Sequence, residues 1–224
     1  MKLNFQTPQQ TSVDIISTKC IIAGWSGRDL SAIEHHIEEL QELGVPRPSS
    51  VPLFYRVAAN QLTQDTDIEV VGTESSGEAE VLVFSYNNEL FISLASDHTD
   101  RKLEAYSVAL SKQICVKPVA AKAWKFSDVA NHWDQLQLRS WIEEDGKKVL
   151  YQEGTVASLL HPLELIEKHF GTTIIPQGYV MTCGTVTVIG GIRPASKFTM
   201  QLHDPILNRT IEHSYNIDCL PEIS

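Results

Sequence analysis

The chain has 224 residues, 42% hydrophobic and 21% charged, with 28 acidic against 18 basic side chains and a formal net charge of −10. That length buries a full core in a single domain, residues 1–224, and the acidic mean field speaks against nucleic acid or membrane as partners. No stretch nears the ~20 consecutive apolar residues of a bilayer span, and Met1-Lys2-Leu3-Asn4-Phe5-Gln6 carries no apolar signal region. Cys20, Cys115, Cys183 and Cys219 lack CxxC or Cys/His spacing, so buried reduced thiols and a cytoplasmic location are expected.

Short β-prone runs recur at 19–24, 68–72, 80–84, 90–93, 135–142, 148–151, 179–184 and 198–202. Turn signals separate them, including Asn87-Asn88 and Asp145-Gly146, the latter a hairpin signal. The clearest helix spans 31–43, with Ser31 and Glu34 as a capping box and Gly44 then Pro46 as its stop. Ile33, Ile37, Leu40 and Leu43 form its apolar stripe. A second helix is predicted from His161/Pro162 to Phe170, ended by Gly171, and a third over 101–112. With two or three helices among many strands, the pattern predicts a strand-rich mixed α+β fold rather than a doubly wound sheet.

His36 lies on the edge of the first helix's stripe, and Glu39 is within i,i+3 reach of it. Such a pair can be a base with its orienting carboxylate, or simply a histidine steadied by a helix neighbour. Further on, Glu78 and Glu80 are spaced to share one face of a strand. Two adjacent carboxylates repel and need neutralising if buried. Asp97, just past the next apolar run, supplies a third oxygen donor, and the three make a seat for Mg²⁺, Mn²⁺ or Ca²⁺. Acidic pairs on exposed strands are the plainer alternative. Lys112 sits between Leu110 and Ile114, either paired with a carboxylate or snorkelling at the surface. Gly184-Thr185 ends a strand that runs on to Gly190-Gly191, where backbone N–H groups and a hydroxyl can meet a carboxylate, or the glycines merely turn the chain. Nucleotide-loop, GxSxG and HExxH motifs are absent.

In this order, the features resemble the fumarylacetoacetate hydrolase superfamily over most of the chain. Gly27-Arg28-Asp29 through His36-Ile37-Glu38-Glu39-Leu40 and Pro52-Leu53-Phe54-Tyr55-Arg56 are similar to its G-x-N-Y-x-x-H-x-x-E and P-x-x-F-x-K segments. Gly77-Glu78-Ala79-Glu80-Val81-Leu82-Val83 resembles its Y-E-x-E-L-A-V-V strand, and Ser96-Asp97-His98-Thr99-Asp100-Arg101 its N-D-x-S-A-R-D loop. Leu110-Ser111-Lys112 is similar to G-K-S-F, and Gln177-Gly178-Tyr179 through Gly184-Thr185 to P-G-D-V-I-x-T-G-T. The likeness is to a branch of that superfamily with no assigned substrate.

The resemblance implies a β-roll or sandwich, residues 66–224, on which a helix-bearing segment, residues 1–65, packs, in a homodimer. It implies Glu78, Glu80 and Asp97 as ligands of a divalent cation, Mg²⁺ first. It implies His36 and Glu39 as a water-activating dyad, Lys112 as a catalytic cation, and Arg56, Arg101, Gly184 and Thr185 as substrate contacts. The implied activity is metal-dependent C–C hydrolysis of a small anionic 2-oxo or β-diketo acid. Decarboxylase, hydratase or isomerase chemistry and an inert acid-binding subunit are the alternatives. Four departures bear on the pocket: Asp29 for the usual Asn, Arg56 for Lys, Tyr179 for Asp, and Glu104 near a frequent Gln.

Overall fold

The computed structural model describes residues 1–42 and 46–223; the side chains of His36 and Leu40 are also outside what it describes, as is Leu43. Strands β1 (Lys2–Gln6) and β2 (Ser12–Ile16) form a hairpin before β3 (Lys19–Gly24), helix α1 (Leu30–Glu42) and β4 (Leu53–Val57). Short strands β5 (Leu62–Thr63), β6 (Asp67–Val71) and β7 (Ser75–Ser76) lead to the long pair β8 (Ala79–Tyr86) and β9 (Glu89–Ser96). After them come β10 (Thr99–Asp100), α2 (Arg101–Glu104), α3 (Val108–Gln113), β11 (Lys117–Pro118), β12 (Trp124–Lys125) and α4 (Phe126–Val129). The C-terminal part holds β13 (Gln137–Glu144), β14 (Lys147–Thr155), α5 (Pro162–Phe170), β15 (Tyr179–Thr185), β16 (Lys197–Asp204) and β17 (Arg209–Leu220).

Two mixed sheets carry the fold, a six-stranded one ordered β12-β9-β8-β15-β3-β4 and a five-stranded one ordered β14-β13-β16-β17-β6. Alternation along β8 explains how they stack. Ala79, Val81 and Val83 join Leu138, Phe198, Met200 and Tyr215 in the core between the sheets. Leu82 and Phe84 point the other way and pack with Leu3, Phe5 and Val13 of the N-terminal hairpin. Each such side chain contributes about 1.5–3 kcal/mol when fully buried, so a one-residue slip of β8 would lose both cores. That register places Glu80 on the hairpin side, in line with Leu82.

This is the strand-rich α+β architecture read from the sequence, with differences at the helices. Five α-helices occur among the described residues rather than two or three. The 101–112 region splits in two because Asp100 and Ser107 each accept a backbone N–H, from Leu103 and Leu110, and so cap separate short helices. Helix α1 starts at Leu30, since the Asp29 carboxylate accepts the N–H groups of Ser31 and Ala32 at 2.9 and 3.1 Å. Glu34, expected in a capping box, pairs instead with Arg47. Helix α5 ends as anticipated at Gly171, which has φ +71°. The segment 1–65 is woven into the roll rather than packed on it, because β3 and β4 are strands of the six-stranded sheet. Cys20, Cys115 and Cys183 are buried, but Cys219 is exposed. Among the described residues no helix is long and apolar enough to cross a membrane.

Candidate metal centre

Strands β8 and β9 run antiparallel with Ala79 opposite Ser96, so the start of one meets the end of the other. The Asp97 N–H donates to the Glu78 carbonyl at 3.0 Å. This junction brings carboxylate oxygens of Glu78, Glu80 and Asp97 within 4.8 Å of one another. Glu80 is 3% exposed and Asp97 not at all.

Three cations face these acids. Lys112 Nζ lies 2.5 Å from Asp97 Oδ2 and 3.8 Å from Glu78 Oε2. Lys117 Nζ lies 3.1 Å from Asp97 Oδ1, but off the hydrogen-bonding direction, and it donates to the His98 carbonyl instead. Asp97 Oδ1 is left without a hydrogen bond. Arg101 Nη2 is 3.1 Å from Glu78 Oε1, while its Nη1 meets Glu104 Oε2 at 2.9 Å. Four carboxyl groups, Glu104 included, face three cations, so one acid is left without a cation of its own.

Electrostatics follow from that geometry. Burial, with the charges of Asp97 and Glu78, pushes the Glu80 carboxyl up to about 8. Burial would raise Asp97 as well, yet Lys112 and Lys117 outweigh it and hold Asp97 below the usual carboxylate range. Lys112 is buried against its charge, and Asp97 and Glu78 keep it protonated. His98, behind Asp97, is pushed down to about 3 by burial and by Lys117 and Arg101, and is neutral.

A hydrogen-bonded frame holds the acids in place. Gly184 N–H donates to Glu80 Oε2 at 2.9 Å. Ser96 Oγ accepts from Glu78 N–H at 3.2 Å and from Tyr215 OH at 2.8 Å. Tyr215 thus receives His98 Nδ1–H at 3.1 Å, and His98 Nε2 accepts from Ser75 at 2.9 Å, a tautomer assigned from the network. Gln152 accepts from Ala79 N–H and Ser140 Oγ and donates to Thr185 Oγ1 and the Val186 carbonyl.

The donor set fits a hard divalent cation. It offers three clustered carboxyl groups, Glu80 and Asp97 buried and Glu78 half-buried, with one acid more than the cations facing them and a glutamate that its surroundings leave under-compensated. Glu78, Glu80 and Asp97 would hold the ion.

The other sequence-predicted residues are placed less uniformly. Lys112 is buried against Asp97 rather than snorkelling, and its Nζ lies 5.8 Å from the centre of the Tyr55 ring. Arg101 is committed to Glu78 and Glu104. Gly184 braces Glu80, and the Thr185 hydroxyl donates to the Ala79 carbonyl while accepting from Gln152. Both therefore brace β8 in this structure rather than presenting free groups to a substrate. Arg56 is exposed on β4. Glu39 is exposed and its carboxylate lies 3.3 Å from His35 Nε2, one turn back at i,i+4. The i,i+3 partner expected for it, His36, has a side chain outside the described residues. Lys117, Gln152 and Tyr55 were not anticipated. Lys117 carried the same signal as Lys112, a lysine within an apolar run, Val116-Lys117-Pro118-Val119.

A family model described as "Protein of unknown function (DUF2848)" matches residues 23–215, which include every one of these site residues. No curated protein matches the sequence. Among solved structures, yeast ynq8, a fumarylacetoacetate hydrolase family protein, is 16% identical with TM-score 0.63, covering 92% of this chain and 95% of its own. A 2-keto-3-deoxy-D-arabinonate dehydratase complexed with magnesium and 2,5-dioxopentanoate is 14% identical with TM-score 0.63, covering 92% and 74%. Cg1458 is 16% identical with TM-score 0.66, covering 92% and 78%. At these identities the likeness is one of fold: the chain has a fumarylacetoacetate-hydrolase-like fold.

Proposed function

The chain belongs to the DUF2848 family, whose description assigns no reaction, and from that premise and the geometry of the site we propose a divalent-metal-dependent enzyme acting on a small 2-oxo or β-diketo acid. The reaction proposed is hydrolytic cleavage of a C–C bond. The observation that carries the reading is the convergence of half-buried Glu78 with buried Glu80 and Asp97 beside Lys112. A bound divalent cation supplies Lewis-acid polarisation of adjacent carbonyl and carboxylate oxygens. The chain's residues do the rest. Gly184 N–H and the Ser96–Tyr215 pair fix Glu80 and the Glu78 backbone before any ligand arrives. Lys112 stands where negative charge developing on a substrate oxygen can be met by an ammonium already in place. The His36–Glu39 pair on α1 would take the proton from the attacking water.

A second reading, a dehydratase or decarboxylase on a related acid, is supported by one observation: a solved structure of this fold is a dehydratase complexed with magnesium. In that case the acid cluster keeps its use and the helix loses it. Incubating the purified protein with Mg²⁺ or Mn²⁺ and acylpyruvates, oxaloacetate or 2-hydroxydienoates, and following enol absorbance, separates the two. Cleavage of an acylpyruvate supports hydrolysis; loss of water or CO₂ from the other acids supports the second reading. Inertness toward all of them would count against an enzyme of this class.

A further inference from the structure

Lys117 is fully buried, its Nζ fastened to the His98 carbonyl and held 3.1 Å from Asp97 Oδ1. Its backbone is equally fixed, because β11 pairs in parallel with β5, Lys117 opposite Leu62. Lys112, on the other oxygen of Asp97, is differently placed: it is 8% exposed at the side chain and has Glu78 and the face of Tyr55 as alternative company. One lysine can give way to an arriving cation, and the other has nowhere to go. Each oxygen of Asp97 thus has an ammonium within 3.1 Å.

We propose that Lys117 is a specificity-determining residue for the cation, a fixed internal charge that keeps one oxygen of Asp97 occupied and so limits this carboxylate to a single metal-ligating oxygen. The inference rests on the metal reading above. Its consequence is selective. Ca²⁺ gathers about 6–8 oxygens and readily takes both oxygens of a carboxylate, whereas Mg²⁺ is satisfied by about six, one from each ligand, with water filling the rest. A site whose central carboxylate cannot spread both oxygens gives up contacts that Ca²⁺ would use and Mg²⁺ would not. A purely electrostatic role for Lys117 would weaken both divalent cations alike and leave their ratio unchanged.

The test is calorimetric titration of the full chain, stripped by chelation, with Mg²⁺ and separately with Ca²⁺. Wild type should bind Ca²⁺ no more than about tenfold more tightly than Mg²⁺, and Lys117→Met should raise the Ca²⁺/Mg²⁺ affinity ratio about tenfold. Lys117→Gln, which keeps a donor for the His98 carbonyl, should raise it likewise. Lys112→Met should strengthen both ions and hold the ratio within about threefold. A ratio that stays flat or falls in the Lys117 variants would overturn the inference and leave the metal site standing. Should neither variant fold, the wild-type ratio decides alone, and one well above tenfold contradicts the proposal. Wild type that binds neither ion would instead overturn the metal reading itself.

Discussion

Gly184 and Glu80 are joined across the β8–β15 pair by a hydrogen bond from backbone N–H to carboxylate Oε2 of 2.9 Å. The contact depends on a backbone that only glycine adopts readily, at φ +92°, and on the absence of a Cβ, which would lie 2.0 Å from Ser26 Oγ. Glu80 is therefore aimed by the main chain 104 residues away.

Gly184→Ala should destabilise the chain by about 2–4 kcal/mol, the sum of a strained dihedral and the clash with Ser26. Urea unfolding measures it. Adding Ser26→Ala should recover only the part due to the clash, since φ is unchanged. Full recovery would show that the dihedral costs nothing.

Glu80→Gln separates function from stability. Removing the buried carboxylate should lower divalent-cation affinity by at least about tenfold. It should also leave the metal-free chain as stable as wild type or more so, because burial and the charges of Asp97 and Glu78 already disfavour the ionised carboxylate that Gln removes. Thermal melts with and without Mg²⁺ report both effects. A metal-free variant much less stable than wild type would mean that Glu80 is already compensated.

Asp204 governs a pH response distant from the acid cluster. It is fully buried at the end of β16 and accepts from His132 Nε2 at 3.0 Å and from the N–H groups of Ile206 and Leu207 at 3.1 Å each. Burial would raise its carboxyl, but the Leu207 N–H and His132 outweigh that and hold it below its ordinary 3.8. A carboxyl lowered in the folded state stabilises above the unfolded value and loses that contribution as the pH falls through the folded one. Asp204→Asn should cost about 1–3 kcal/mol near neutrality, a difference that shrinks below pH 3.8. Urea midpoints on both sides of that pH test it; a gap of constant size would refute the charge-based origin.

His36→Ala should lower kcat by about 10²–10⁴ on an acylpyruvate if the helix supplies the base, while Mg²⁺ affinity stays at the wild-type value. Turnover that survives the change would move the assignment to the lyase reading.

Much of this site could be read along the chain because its acids obey strand spacing. Glu78 and Glu80 flank one residue, and Asp97 follows the next β-run. The fold class was legible for the same reason, from apolar runs of strand length parted by Asn87-Asn88 and Asp145-Gly146, whose residues all take positive φ. What escaped depends on partners far apart in sequence. Gln152 reaches Ala79 over 73 residues and Tyr215 reaches Ser96 over 119, and no local pattern marks either one. Helix α1 shows a different limit, since Asp29, Ser31 and Glu34 were all competent to cap or pair, and only the position of Arg47 decides that Glu34 pairs. Lys117 was within reach: the reasoning applied to Lys112 holds for it word for word.

The most direct measurement is calorimetric titration of the chelator-treated chain with Mg²⁺, beside Glu80→Gln and Asp97→Asn. Wild type should take up one ion per chain and gain thermal stability with added Mg²⁺, and both variants should lose the binding. Wild type that takes up no Mg²⁺, or variants that bind it as well as wild type, would contradict a metal centre built from Glu78, Glu80 and Asp97.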